Sequence, residues 1–211
     1  VLAAHYLRSG QVNQGYVVVT EASNIDPRAA RSRSLFSPFA LSDPPVAQAI
    51  EAFRASAADE RNAPVAHAAI GMMLYFSGER ARAREEIDRA LQLDSGILPG
   101  LLYDAQLELD EGRARQAART CLRVLALERG HPLAHLIRAR ALVAMNRRDR
   151  AREGLESALR ASPGFTAAKI ELEKLRLAGP EKDEAMATLS SLFNIHPNDV
   201  SLRRALLEAE Q

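Results

Sequence analysis

The sequence has few residues that could form covalent cross-links, and its net charge is close to zero. It contains one cysteine, Cys121, so neither an internal disulfide nor a cysteine-rich metal site can form. Its 28 basic residues balance 27 acidic ones to a net charge of +1, which indicates neither a nucleic-acid nor an anionic-membrane partner. No apolar run approaches the roughly 20 residues that span a bilayer, and no signal peptide is visible. Cytoplasm and periplasm are both compatible with these features, and because the chain opens on Val1 we expect further residues upstream.

Motifs that would indicate catalysis are also missing. The sequence has no glycine-rich phosphate loop, no His-Glu-x-x-His zinc motif and no Gly-x-Ser-x-Gly nucleophile elbow. His131 and His135 have a spacing that can bind a metal from one helical face, but Pro132 places His131 at or before a helix start and no third ligand is nearby. We therefore expect His135 to pack at a junction and Cys121 to lie in a core. No enzymatic activity, cofactor or metal site is predicted.

The sequence does contain a period of 34 residues. Small residues recur at that spacing, namely Gly15, Ala49, Ala83, Ala117, Ala151 and Ala185. Apolar residues share another phase, at Val19, Phe53, Ile87, Cys121, Leu155 and Leu189, and a further row holds Leu91, Leu125, Leu159 and Phe193. Pro27, Pro163 and Pro197 share one phase at the ends of segments. The composition is 47% hydrophobic and rich in alanine, leucine, arginine and glutamate, which favours helices.

One unit of this period, residues 64–97, shows what repeats. Two amphipathic segments meet at Ser77-Gly78, and Gly71, Ala83 and Ala90 stand where two helices must approach closely. A 34-residue helical hairpin with small residues at its crossing points and a closing proline resembles the tetratricopeptide repeat. The resemblance covers nearly the whole chain. It implies an all-α, right-handed superhelical solenoid of about six such hairpins with a C-terminal capping helix.

The frame divides the chain into a single array of repeats. We predict repeats at 1–29 (truncated), 30–63 (irregular), 64–97, 98–131, 132–165 and 166–199, with a capping helix at 200–211. The β-branched run Tyr16–Thr20 favours a strand, but the frame makes it helical. Pro38 should kink or split the first helix of the second repeat. Turns fall at Ser77-Gly78, Glu111-Gly112, Met145-Asn146 and Gly179-Pro180, where glycine and asparagine suit a left-handed helix end and Pro180 departs from the pattern.

The resemblance implies that the first helices line a groove that takes peptides or helices. Carried over residue by residue, the groove positions are Met72, Tyr75, Phe76, Leu102, Gln106, Leu109, Leu136, Arg140, Val143, Ile170, Lys174 and Leu177. Lysine and asparagine do not stand where some members clamp a terminal carboxylate, so that clamp is not supported. The mostly apolar track favours an amphipathic helix or an extended hydrophobic segment. Alternatively, Met72, Tyr75 and Phe76 pack within their hairpin, or the chain's own residues 35–39 cover the track.

A second surface is an arginine cluster with an acidic counterpart nearby in sequence. The cluster is Arg138, Arg140, Arg147, Arg148, Arg150 and Arg152; the acidic residues are Asp104, Glu108, Asp110 and Glu111. Charge interleaved between stacked repeats, or an ordinary solvated face, accounts for both. RNA binding is the more specific alternative, but the sequence lacks both exposed aromatic residues between the basic ones and a basic net charge.

The predicted function is a non-catalytic scaffold or adaptor that binds a protein or peptide partner in its groove. The resemblance to bacterial tetratricopeptide proteins suggests a multi-subunit assembly such as a secretion or export apparatus. A structural spacer that self-associates through the apolar track, and a regulatory domain of a larger enzyme, are the alternatives. No small-molecule substrate is expected, and fold alone does not decide among these functions.

Overall fold

The computed structural model describes residues 44–195, 197 and 200–209, and every regular element among them is an α-helix. The predictions for residues 1–43, including the strand-favouring run and the kink at Pro38, lie outside these residues. The ten helices are α1 Pro44–Ser56, α2 Ala63–Phe76, α3 Arg80–Leu93, α4 Leu98–Asp110, α5 Ala114–Leu127, α6 Pro132–Ala144, α7 Arg148–Ala161, α8 Thr166–Arg176, α9 Lys182–Ile195 and α10 Val200–Ala209. The predicted all-α class is confirmed.

Helices α2 and α3, α4 and α5, and α6 and α7 pack as hairpins across short turns, and each hairpin packs on the next. The predicted row of small residues lies at the crossings, where Ala83, Ala117, Ala151 and Ala185 are all fully buried. Opposite Ala83 and Ile87, Gly71 gives the closest approach, because a Cβ atom there would lie 2.7 Å from Ile87 Cδ1. The 34-residue spacing therefore marks the contacts that hold each hairpin together.

The turns within these three hairpins share one backbone conformation. Gly78, Gly112 and Asn146 have positive φ angles of 88°, 80° and 58°. In each case the next residue's N–H donates to the carbonyl five residues back, as Arg113 does to Glu108 at 2.8 Å, which satisfies a carbonyl at the helix end. The proline ring of Pro180 fixes φ near about −65° and forbids this conformation. Accordingly α8 ends early. It ends at Arg176, whereas α6 ends at Ala144, which corresponds to Ala178 in the 34-residue frame.

We expect Gly112→Ala to lower the free energy of unfolding by about 1 kcal/mol, because a left-handed conformation costs an L-residue roughly 1–2 kcal/mol. A Cβ atom at Gly112 would meet nothing within 4 Å, so crowding makes no contribution. Gly164 is the matched control: its surroundings are equally open, and its φ lies outside the left-handed range. Gly164→Ala should instead stabilise by about 0.4–1 kcal/mol through the unfolded chain. Urea denaturation of both variants checks the pair, and equal effects would contradict it.

Charged side chains join adjacent hairpins, with partners other than those that the sequence pattern indicates. Asp104 accepts a hydrogen bond from Arg84 at 2.5 Å, and Asp110 lies 3.3 Å from Arg80. Both acidic residues thus pair with arginines of the preceding hairpin instead of the Arg138–Arg152 cluster. From that cluster, Arg140 pairs with Glu171 at 3.0 Å, and Arg152 approaches Glu181 at 3.8 Å. The predicted interleaving of charge exists, and it runs from a basic residue of one hairpin to an acidic residue of the next.

The first helices of successive hairpins also contact one another, α2 with α4, α4 with α6, and α6 with α8. Helix α10 packs on α8 and α9, where its Leu202 and Ala205 are buried with Ile170 and Leu189. It therefore covers the end of the row of first helices. This arrangement brings side chains from α4, α6, α8 and α10 to one surface.

Candidate concave binding site

A cavity of about 590 Å³ opens on the surface formed by α4, α6, α8 and the end of α10. We call it the first-helix cavity. Two rows at 34-residue spacing line it, Gln106, Arg140, Lys174 and Glu208 in one row and Leu109, Val143 and Leu177 in the other. Arg148 and Lys182, in the first turns of α7 and α9, complete one side. Its volume falls within the roughly 300–1,000 Å³ typical of ligand-binding clefts.

Half of the predicted groove residues line this cavity. They are Gln106, Leu109, Arg140, Val143, Lys174 and Leu177. Val143 is the most accessible of the apolar ones, with 40% of its surface exposed. That any of them touches a partner stays a prediction.

Four other predicted groove residues are inaccessible. Met72, Leu102, Leu136 and Ile170 are at most 3% exposed and lie in the hydrophobic cores. At these positions the side chain points between packed helices, so a ligand on the surface does not reach it. We therefore do not carry these four into the proposed site.

Tyr75 and Phe76, the remaining two, are half-buried in an aromatic cluster with Tyr103, in which the ring centroids lie 5.5 to 6.0 Å apart. The Tyr75 hydroxyl donates to Asp110 Oδ2 at 2.9 Å, and the Arg80 guanidinium lies 3.8 Å from the centre of the Tyr75 ring. Tyr75 and Phe76 therefore pack against each other within their hairpin and against Tyr103 of the next hairpin. At this end of the row the groove is filled by the chain's own side chains.

Five charged residues of the cavity were missed by sequence reasoning, and the 34-residue period could have found three of them, Arg148, Lys182 and Glu208. Glu208 follows Lys174 by one 34-residue period, and Lys182 follows Arg148 by one period. Glu208 was missed because residues 200–211 were assigned only a capping role, and Arg148 because it was grouped with the separate arginine cluster. Continuing the period through the last helix, and applying it to the starts of the second helices, would have found all three.

The carboxylates of the cavity already have cationic partners. Glu171 accepts from Arg140 Nε at 3.0 Å and lies 3.7 Å from Lys174 Nζ. Asp110 lies 3.3 Å from Arg80, and Glu208 accepts from Arg204 at 2.6 Å. By contrast, Arg148 and Lys182 are exposed and make no ion pair with any residue that the structure describes. The unpaired charge at the cavity is therefore positive.

Each histidine of the candidate metal pair has one ring nitrogen engaged by the backbone. His131 Nδ1 accepts a hydrogen bond from the N–H of Ala134 at 3.4 Å and so caps α6, and His135 Nε2 lies 2.9 Å from the carbonyl of Arg129. Burial lowers the pKa of His131, which keeps its ring neutral and able to accept. No group of three or more potential metal ligands occurs among the described residues.

No helix in the same part of the chain has the length and apolar character needed to cross a membrane.

We expect Cys121 to resist alkylation by iodoacetamide at about pH 8 in the folded chain and to react once urea unfolds it, because only the thiolate is the nucleophile. Burial raises the pKa of the Cys121 thiol to about 12, against the opposing charge of Arg138. An unfolded cysteine ionises near about pH 8.5. Between these two pKa values the folded chain keeps the thiol proton and the unfolded chain releases it. The free energy of unfolding should therefore fall as pH rises from about 8.5 towards 12. Rapid alkylation of the native chain would contradict this.

No protein-family model matches the sequence, and no curated protein sequence matches it. Several solved structures are similar. TTC0263, a thermophilic TPR protein of Thermus thermophilus, is 19% identical, with 78% of this chain and 90% of that chain covered and a TM-score of 0.63. MamA from Desulfovibrio magneticus RS-1 is 16% identical, with 76% and 90% covered and a TM-score of 0.59. A chain of the Cut9–Hcn1 hetero-tetramer of the APC/C is 16% identical and covers all of this chain, which spans 42% of it, with a TM-score of 0.69. The present chain therefore has the fold of the tetratricopeptide repeat proteins, a solenoid of stacked α-helical hairpins.

Proposed function

We propose that this chain is a protein-interaction scaffold that holds a segment of a partner protein in the first-helix cavity. The observation that carries the proposal is the row of Leu109, Val143 and Leu177, which gives the open cavity an apolar wall at the ends of three successive first helices, Leu177 being the residue that follows α8. Ligand-binding clefts are commonly lined by apolar side chains with a few polar groups among them. The similarity to a chain of the Cut9–Hcn1 hetero-tetramer supports a role in an assembly of several subunits.

The spacing of the wall suits an elongated ligand. Neighbouring packed helices lie about 8–10 Å apart, so the three side chains lie along a line that an amphipathic helix or an extended segment can follow. Each large apolar side chain that a partner buries there contributes about 1.5–3 kcal/mol. Two or three such anchors give useful affinity. The finer proposal is that the partner belongs to a multi-subunit assembly, such as a bacterial secretion or export apparatus.

A matched pair of surface substitutions tests the proposal. A displayed library of 16-residue peptides would be selected on the immobilised chain, and the selected peptides measured by fluorescence anisotropy against Val143→Asp and Leu127→Asp. Both side chains are exposed, at 40% and 61%, so both variants should fold, but Leu127 lies on the second helix α5 outside the cavity. Loss of one apolar anchor should weaken binding to Val143→Asp by about tenfold or more. Equal binding to both variants would refute the site.

A further inference from the structure

We infer that the segment held in the first-helix cavity is acidic, with a carboxylate placed at Arg148 and Lys182 beside apolar side chains on the Leu109, Val143 and Leu177 wall. This inference rests on the proposed function and names the chemistry of the partner. Two hairpins of this chain support it when their equivalent residues are compared. Arg80 is equivalent to Arg148, and a carboxylate of the chain already lies beside Arg80.

Arg80 stands two 34-residue periods before Arg148, and both are the first residue of a second helix. In its hairpin Arg80 lies 3.3 Å from the carboxylate of Asp110, which comes from the next first helix, and donates to the carbonyl of Tyr75 at 2.5 Å. In this hairpin, the basic residue at this position pairs with a carboxylate on the first-helix surface.

The carboxylate is missing where Arg148 would need it. Two periods after Asp110 the residue is Ala178, which is exposed and lines the cavity. Arg148 consequently has no acidic partner among the described residues, although its position in the frame is that of Arg80. An acidic side chain from a partner can take the place that Asp110 takes beside Arg80.

A difference in side-chain volume between the two hairpins explains why the cavity is open at this end of the row. The aromatic cluster of Tyr75, Phe76 and Tyr103 fills the surface around Arg80. Two periods on, the same positions are held by Val143, Ala144 and Glu171. Smaller side chains leave the 590 Å³ that a partner's apolar side chains can enter.

Helix stability does not account for Arg148 and Lys182. The N-terminal end of a helix carries a partial positive charge, so a basic residue in the first turn is disfavoured there and an acidic one is favoured. Asp149 in α7 and Asp183 and Glu184 in α9 meet that preference, and none of them lines the cavity. The two basic side chains make the electrostatic potential of the cavity positive. Among the described residues, neither of them forms an ion pair within the chain.

Three fluorescein-labelled, C-terminally amidated 16-residue peptides test the inference. They share leucines at helical spacing and differ only in their polar residues, which are all Glu, all Gln or all Lys. We expect the Glu peptide to bind about tenfold more tightly than the Gln peptide, and the Lys peptide to bind most weakly. The preference should shrink as salt rises, because exposed charges are screened.

Two variants should abolish the preference for Glu over Gln. Arg148→Gln/Lys182→Gln removes the cations, and Ala178→Asp supplies the internal carboxylate that Asp110 supplies to Arg80. Each has a matched control on exposed positions of α5, Arg115→Gln/Arg119→Gln for the first and Ala126→Asp for the second, and both controls should keep the preference. Ala178→Asp is the sharper variant, because it adds an ion pair and is not expected to unfold the chain.

The outcomes separate the inference from the proposed function. If the Glu and Gln peptides bind equally and both are weakened by Val143→Asp, the cavity binds protein segments and the acidic preference is wrong. If no peptide depends on Val143, the proposed function fails as well. If oligouridylate or phosphatidylserine vesicles bind through Arg148 and Lys182 while the Glu peptide does not, the anionic partner is not a protein segment and the inference is overturned.

Discussion

Replacing Ile87 by alanine is expected to lower the free energy of unfolding by about 2–5 kcal/mol, the usual range for a fully buried isoleucine. Ile87 is completely buried, and its side chain meets Gly71 at the closest crossing of α2 and α3. The smaller side chain both loses buried apolar surface and leaves a cavity at the crossing, where the backbones limit collapse. Urea denaturation measures the loss. Ile195→Ala is the matched control, because Ile195 is 65% exposed and should change stability by less than about 0.5 kcal/mol.

A second substitution shows whether the crossing itself causes the effect. In the native chain, Gly71→Ala places a Cβ atom 2.7 Å from Ile87 Cδ1 and 3.2 Å from the carbonyl of Ala83, so we expect it to cost about 1–3 kcal/mol. In the Ile87→Ala background the clash with the side chain is gone. There the better helix propensity of alanine, about 1 kcal/mol over glycine, should make Gly71→Ala neutral or stabilising. Additive effects of the two substitutions would contradict the close approach.

Replacing Arg84 by methionine should destabilise the chain by about 2–3 kcal/mol, somewhat less than the roughly 3–5 kcal/mol for a fully buried ion pair. Arg84 donates to Asp104 at 2.5 Å and lies 3.3 Å from Glu111 and 3.8 Å from Asp88. Burial alone would lower the pKa of Arg84, but the hydrogen bond with Asp104 and the three nearby carboxylates raise it overall. Without the cation, these carboxylates repel one another in a partly buried site.

Two measurements separate charge from packing at this site. Because the loss comes from unpaired carboxylates, it should shrink at acid pH, and burial raises the pKa of Asp88, one of the three, which favours its protonation. The double variant Arg84→Met/Asp104→Leu should recover most of the loss, since it replaces both partners with apolar groups. Arg54→Met, which breaks the exposed pair of Arg54 with Glu51, is the control and should cost no more than about 0.5 kcal/mol. A loss that is equal at all pH values would attribute the effect to packing.

The repeating contacts could be predicted from the sequence, because a period of 34 residues fixes which side chains return to the same environment. Ala83 and Ile87 are buried as that period requires, and Gly112 has the left-handed conformation that the turn requires. Each of these features depends on one residue and its neighbours along the chain. The solenoid itself was expected from the resemblance of this pattern to the tetratricopeptide repeat.

The extent of the groove could not be predicted in the same way. Periodicity assigns a residue to a surface, but it does not say whether neighbouring side chains fill that surface. Tyr75 and Phe76 meet Tyr103 from the next hairpin and close the groove, whereas Val143 has smaller neighbours and remains exposed. The difference depends on side-chain volumes from two hairpins at once, which only the assembled structure brings together.

Site-specific photo-crosslinking from Val143 would show whether a partner protein binds in the first-helix cavity. A photoreactive amino acid would be placed at Val143 in the cavity and, separately, at Leu127 on the outer helix α5, in the full chain in its source cells. We expect that only the Val143 position cross-links a partner, that the linked segment carries apolar and acidic residues, and that excess Glu peptide suppresses the product. A partner that cross-links from Leu127 and not from Val143 would show that this chain binds through its second helices and not through the first-helix cavity.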